Sequence, residues 1–274
     1  MLGAIVGDIV GSPYEFDFHN IKTTEFPLFS ELSYFTDDTV MTLAVAEALM
    51  EALPSRGAPA VDETVEAALI KAMQGFAQRF PRFNGLGGYG VRFVSWLSTP
   101  NPKPYGSFGN GAAMRVSPAG WAYDTLEEVE RCAKLTAQVS HNHPEGIKGA
   151  QATAGAILLA RQGKDKAEIK RYVQEHHGYD LSRTLDEIRP NYHHVESCQE
   201  TVPEAITAFL EADGFEDCLR KAVSLGGDSD TLTAIAASIA EAAWGLPEDI
   251  ASMARAKLHP FLQDVLDRWE VWRG

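Results

Sequence analysis

Cysteine is scarce and poorly spaced for a structural role: Cys132, Cys198 and Cys218 are the three in the chain, an odd number with no CxxC pair. That argues against a disulfide-stapled scaffold and a thiolate zinc site, and it fits a reducing compartment. Cations are outnumbered, with 24 Lys+Arg against 38 Asp+Glu and a formal charge of −14. Binding to nucleic acid or to an anionic membrane needs clustered positive charge, so both are disfavoured as partners. Long apolar runs are missing too. The opening Met1-Leu-Gly-Ala-Ile-Val-Gly7 is interrupted by Asp8, with no Lys or Arg before Lys22, and makes a poor signal peptide. Residues 232–245 carry Thr233, Ser238 and Glu241 and fall short of the ~20 residues that a span requires. A Ser/Gly linker, a block of like charge and an internal period are all absent, and strand-like alternation is scarce. The expectation is a cytoplasmic protein with one domain over 1–274.

What the chain does have is helical spacing. Apolar residues make up 45% of it, enough to build a core at this length. Val65, Leu69, Met73, Phe76 and Phe80 draw one stripe along a helix, with Asp62 as its expected cap and Pro81 as its stop. Thr125 and Glu128 read as a capping box. Pro144 suits a first helical position, and the following Ala- and Gly-rich helix to Gly163 belongs in the interior, where small residues let neighbours approach. Pro203 and Pro247 read as two further helix starts. These elements predict one compact all-α, multi-helix domain. The irregular stretches 16–35, 98–108 and 178–199 lie beside the motifs below, and loops on a rigid scaffold often carry function.

Two acidic clusters of similar composition stand out, Thr36-Asp37-Asp38-Thr39 and Gly226-Gly227-Asp228-Ser229-Asp230-Thr231, each preceding an apolar helical run. Residues two apart on an extended loop face one way, so the glycine pair allows Asp228 and Asp230 to share one side of a turn entering a helix from about Thr231 to Trp244. The plainer alternative for either cluster is helix capping. Four carboxylates gathered in one place would repel, and protonation or a bound cation relieves that repulsion. An all-oxygen donor set selects Mg²⁺ or Mn²⁺ over Zn²⁺, and the twelve-residue calcium loop closed by Glu is missing. A glycine-rich stretch, Gly106-Ser107-Phe108-Gly109-Asn110-Gly111, is either a plain turn or a loop whose amides approach phosphate, with a helix starting near Ala112. Phe108 reads as a pocket or core aromatic. His141 and His143 read as polar or capping residues, and His176-His177 and His193-His194 as surface.

Five motifs in order resemble the ADP-ribosylglycohydrolase family: Gly7-Asp8-Ile9-Val10-Gly11-Ser12-Pro13-Tyr14-Glu15, Thr36 to Thr39, Gly106 to Arg115, Ser140-His141-Asn142-His143-Pro144, and Gly226 to Thr231. The resemblance covers nearly the whole chain. It implies an all-α orthogonal bundle with two Mg²⁺ ions in a cleft, Mn²⁺ being an alternative. It carries Thr36, Asp37 and Asp38 onto the family's first set of metal ligands, and Asp228, Asp230 and Thr231 onto the second. Glu15 matches an acidic residue implicated in substrate entry and catalysis, and Asp38 is the other candidate for proton transfer. Gly106, Ser107, Phe108, Gly109, Asn110 and Gly111 fall on the loop that holds ADP-ribose, and His141 borders the same pocket. The implied activity is hydrolysis at C1 of the distal ribose, releasing ADP-ribose from a modified protein or a small-molecule conjugate. A catalytically silent ADP-ribose-binding relative is the competing reading. The acceptor stays open among arginine, serine, a nucleobase and a small molecule, and nothing in the chain specifies an oligomeric state.

Overall fold

The computed structural model describes residues 1–81 and 88–274, and among them there is no β-strand, only one isolated bridge between Gly109 and Ser197. The helices in chain order are α1 (Leu2–Gly11), α2 (Asp37–Ala52), α3 (Asp62–Arg79), α4 (Val91–Ser98), α5 (Gly111–Met114), α6 (Ser117–Ala122), α7 (Leu126–Gln138), α8 (Pro144–Arg161), α9 (Lys166–His177), α10 (Leu185–Ile188), α11 (Cys198–Glu211), α12 (Phe215–Val223), α13 (Ser229–Trp244), α14 (Glu248–Lys257) and α15 (Pro260–Arg273). The all-α expectation holds.

At the centre lie α1, buried along its length, and α13, buried from Ser229 to Ala240. Their closeness is written in three glycines spaced by four. A Cβ on Gly3, Gly7 or Gly11 would stand 2.4 Å from the carbonyl oxygen of Ala237, Thr233 or Ser229 respectively, so α1 rests backbone to backbone on one ridge of α13. This contact brings the residues after α1 alongside the start of α13. The helix α8 is interior as expected, with Gly149 against Cys198 and Gly155 against the Tyr172 ring.

Local signals fared unevenly. Thr125 caps α7, accepting from the Glu128 amide at 3.3 Å, and Pro144 opens α8. Pro247 stands at the N-cap of α14. Asp62 is not a cap: Val61 holds that place, and Asp62, the first helical residue, pairs with Arg131 of α7. Pro203 does not start a helix either, since it lies inside α11. The start of α11 is set by pairing with the glycine-rich loop, where the Cys198 amide donates to the Phe108 carbonyl at 3.0 Å. Proline there removes the bond to the Gln199 carbonyl and crowds that carbonyl, a local cost of an interior proline that the rest of the helix carries. Among the described residues, no helix is long and apolar enough to cross a membrane.

Candidate active site

The two acidic clusters meet. Thr36 takes the N-cap of α2, its Oγ1 accepting from the Asp38 amide at 3.3 Å. Asp37 and Asp38 follow in the first turn with capping already supplied, so the plainer reading does not account for them. Asp228 stands at the N-cap of α13 without its side chain capping a backbone amide there, and Asp230 is the second residue of the first turn, because α13 begins at Ser229 rather than Thr231. Asp228 has non-helical backbone angles, so the two carboxylates still converge on one side. Thr231 Oγ1 then donates to Asp38 Oδ2 at 3.1 Å, joining the two helix starts directly.

Behind them sits Asp8 on α1, fully buried. Its carboxylate accepts from the amide and hydroxyl of Thr36 at 2.9 and 2.8 Å, and from the Thr39 amide at 3.1 Å, which ties the first turn of α2 to α1. Glu15 arrives just past α1, and Asn20 holds that loop in place. Asn20 Nδ2 donates to the Tyr14 carbonyl at 2.6 Å, and Asn20 Oδ1 accepts from the Gly227 amide at 2.6 Å. Gly226 and Gly227 both take positive φ, +72° and +74°, and a Cβ on either would stand 2.6 Å from Asn20 or Tyr192.

The result is a cleft of about 370 Å³. Glu15, Asp37, Asp38, Asp228, Asp230 and Thr231 line its acidic side, while Arg92, Arg115, Tyr105, Ser107 and His141 line the other. One oxygen from each of Glu15, Asp228 and Asp230 lies within 4.8 Å of the other two. Glu15 Oε2 and Asp38 Oδ1 are buried with no hydrogen-bond partner. Burial chiefly, and then repulsion from Asp230 and Asp37, push the Glu15 carboxyl up to about 9. Burial, with added repulsion from Asp8, raises Asp37 to about 7, and burial does the same for Asp228. Asp38 and Asp230 are raised well above the usual range by burial and by neighbouring carboxylates. Such a set is costly to ionise without a compensating positive charge, and hard divalent cations are the ions that oxygen donors select. Orphaned carboxylate oxygens and a converging all-oxygen donor set therefore fit Mg²⁺ or Mn²⁺.

The glycine-rich loop forms the facing wall. Gly106 has φ +69° and its amide donates to Asn142 Oδ1 at 2.8 Å. The Asn110 amide donates to the Glu196 carbonyl at 2.8 Å, and the Asn110 side chain donates to Asp228 Oδ2 at 2.7 Å, linking the loop to the acidic cluster. Ser107, Gly109, Asn110, Gly111 and His141 line the cleft, whereas Gly106, Phe108 and Thr36 are outside its lining. Phe108 is not a core aromatic: it is 47% exposed, with its ring edge-on to His143. His143 caps α8, accepting from the Glu145 amide. The helix after the loop starts at Gly111 and is a single turn, α5.

Sequence reasoning missed several residues here. His194 was expected on the surface, yet it lines the cleft, bonded to Glu196 and stacked on Phe16 with ring centroids 5.0 Å apart. His177 is likewise largely enclosed, bonded to the Tyr172 hydroxyl at 2.8 Å, while His176 and His193 are exposed. Asp8 and Arg115 fall within quoted motifs but carried no assigned role. Arg115 is fully buried within the cleft wall, its guanidinium 5.4 Å from the Phe93 ring centroid. Asn20 gave no signal, because its partners are distant backbone groups.

A family model for ADP-ribosylglycohydrolase matches residues 1–273. Among curated relatives, the ADP-ribosylhydrolase ARH3 of Mus musculus is 27% identical over 90% of this chain and 83% of its own length. The ADP-ribosyl-[dinitrogen reductase] glycohydrolase of Rhodospirillum rubrum is 27% identical over 94% of this chain and 88% of its own. The ADP-ribosylarginine hydrolase Tri1 of Pseudomonas putida is 25% identical over 98% of this chain and 77% of its own. A solved structure described as an ADP-ribosylglycohydrolase-related protein complex superposes with a TM-score of 0.68 at 22% identity, over 100% of this chain and 97% of that one, which shows a shared fold. With the family match spanning the chain and every family motif that holds carboxylates converging on one cleft, this protein belongs to the ADP-ribosylglycohydrolase family of hydrolases.

Proposed function

We propose that this protein hydrolyses the bond between C1 of the distal ribose of ADP-ribose and an acceptor, in a reaction that requires Mg²⁺ or Mn²⁺. The observation that carries the reading is the convergence of Glu15, Asp228 and Asp230 within 4.8 Å, beside Asp38, in a cleft whose other wall is the glycine-rich loop. Asp228, Asp230 and Thr231 would hold one ion and Thr36, Asp37 and Asp38 the other. When bound, the metal supplies fixed positive charge that holds ribose hydroxyls, orients water and stabilises developing charge at the sugar.

The chain's own groups do the remaining work. Glu15 presents a buried, unpartnered Oε2 and a raised affinity for protons, as a residue that gives up or takes a proton at the acceptor atom requires. Asp38 has Oδ2 engaged by Thr231 and Oδ1 free, so it is the alternative base for an attacking water. Ser107, Gly109, Asn110 and Gly111 would receive the ADP-ribose, with Gly106 and Phe108 shaping the loop from outside the cleft. His194 and Glu196 also line the cleft, Glu196 beside the glycine-rich loop, and would lie within reach of a bound conjugate.

The test is a panel of ADP-ribosylated acceptors, protein and small-molecule, each assayed with Mg²⁺ and with EDTA. Release of ADP-ribose only with the cation is expected, and full activity in saturating EDTA would refute the reading. Tight ADP-ribose binding without turnover of any conjugate would favour a silent binding relative.

A further inference from the structure

Behind the glycine-rich loop, three buried side chains form a hydrogen-bonded chain. Arg115 Nη2 donates to the Thr136 carbonyl at 3.0 Å and to Ser140 Oγ at 2.8 Å, and Ser140 Oγ lies 2.8 Å from His141 Nδ1. A guanidinium has donors only, so the Ser140 oxygen must accept from Arg115. The serine proton then needs an acceptor of its own. Among the described residues, His141 Nδ1 is the group at hydrogen-bond distance that can take it.

Burial, reinforced by the charges of Arg115 and Arg92, holds His141 well below its ordinary value, so the ring is neutral near pH 7. A neutral imidazole with Nδ1 accepting carries its proton on Nε2. That nitrogen faces the loop: a Cβ on Gly109 would lie 3.4 Å from Nε2, and one on Gly111 3.3 Å. Glycine at both positions keeps the space in front of Nε2 open.

We propose that Arg115 and Ser140 are positioning residues that lock His141 into the Nε2–H tautomer, aiming one donor at an anionic oxygen of the ligand on the loop side of the cleft. The ligand half of this statement rests on the ADP-ribose reading above. The opposite tautomer would turn a lone pair toward that oxygen and repel it.

The wild-type full chain, labelled with ¹⁵N-histidine and free of ligand, gives the direct test by NMR at pH 7, with His141→Gln assigning the signal. A pyridine-type Nδ1 and a pyrrole-type Nε2 are expected, and the reverse pattern overturns the proposal. Ser140→Ala should produce a tautomer mixture and weaken ADP-ribose binding on the order of tenfold, the scale of one buried hydrogen bond. An unchanged tautomer and an unchanged Kd in that variant also overturn it. Should Ser140→Ala fail to fold, the wild-type spectrum still decides. If wild type shows the Nε2–H form yet binds no ADP-ribose, the substrate reading fails while the lock stands.

Discussion

Thr231 Oγ1 donates to Asp38 Oδ2 at 3.1 Å, across 193 positions of sequence. That single bond joins the first turns of α13 and α2 and fixes two carboxylate clusters over one cleft. With capping of α2 left to Thr36, the aspartates beside it remain free to face the cleft.

Crowding of buried acids sets the first expectation. Asp230→Asn keeps the acceptor that the Thr231 amide uses but can no longer ionise against its neighbours. It should abolish Mg²⁺-dependent turnover and raise the melting temperature of the metal-free protein by roughly 2–4 °C, as about 1 kcal/mol of relieved repulsion would. Thermal melts in EDTA, beside an activity assay, check both effects, and an unchanged or lower melting point would show that repulsion there is small.

Stability should depend on pH in an unusual direction. Asp37 and Asp228 rise from an ordinary 3.8 to about 7, and Asp8 to about 6, so the folded state binds more protons than the unfolded one between about pH 4 and 7. Their contribution is then most favourable below that window and is lost as pH climbs through it. Metal-free protein is expected to melt lower at pH 7.5 than at pH 5.5, with Mg²⁺ reversing the trend. Parallel melting curves with and without cation would contradict this.

Gly7→Ala tests the backbone contact between α1 and α13. The added methyl would stand 2.4 Å from the Thr233 carbonyl oxygen, and backbone on both sides has to move. A loss at or above the upper end of about 1–3 kcal/mol is expected from overpacking, read as a shift in the denaturation midpoint. Gly75→Ala, where a Cβ meets nothing within 4 Å, is the control and should be neutral or mildly stabilising.

Asn20 clamps the Glu15 loop to the loop before α13, and Asn20→Ala leaves the Gly227 amide unpartnered. The expected cost is about 1–3 kcal/mol in stability, together with a fall in kcat as Glu15 loses its fixed place. Chemical denaturation and steady-state kinetics on the same variant check the two readouts. Normal turnover would show that Glu15 is held by something else.

Much of the fold was legible locally. The stripe from Val65 to Phe80, whose last member stands at the C-cap of α3, the Thr125 cap and Pro144 at the head of α8 are short-range signals, and each marks a helix in the structure. Misplaced signals were those that long-range contacts overrode. Pro203 sits inside α11 because the loop at Phe108 fixes where that helix begins, and Asp62 is drawn to Arg131 instead of capping α3. The carboxylate motifs could be read as a set, but their meeting could not. His194 read as surface, Arg115 had no role within its motif and Asn20 gave no signal, because their roles depend on partners far along the chain or within the cleft wall.

The sequence by itself determined an all-helical chain, its family motifs and the oxygen-rich chemistry of its aspartates, since periodicity, capping and donor type are properties of neighbouring residues. Only the tertiary structure decided which of those donors share a site. That depends on three glycines letting α1 lie against α13, and on Asn20 and Thr231 tying distant segments together, contacts whose energy exists only once the chain has folded.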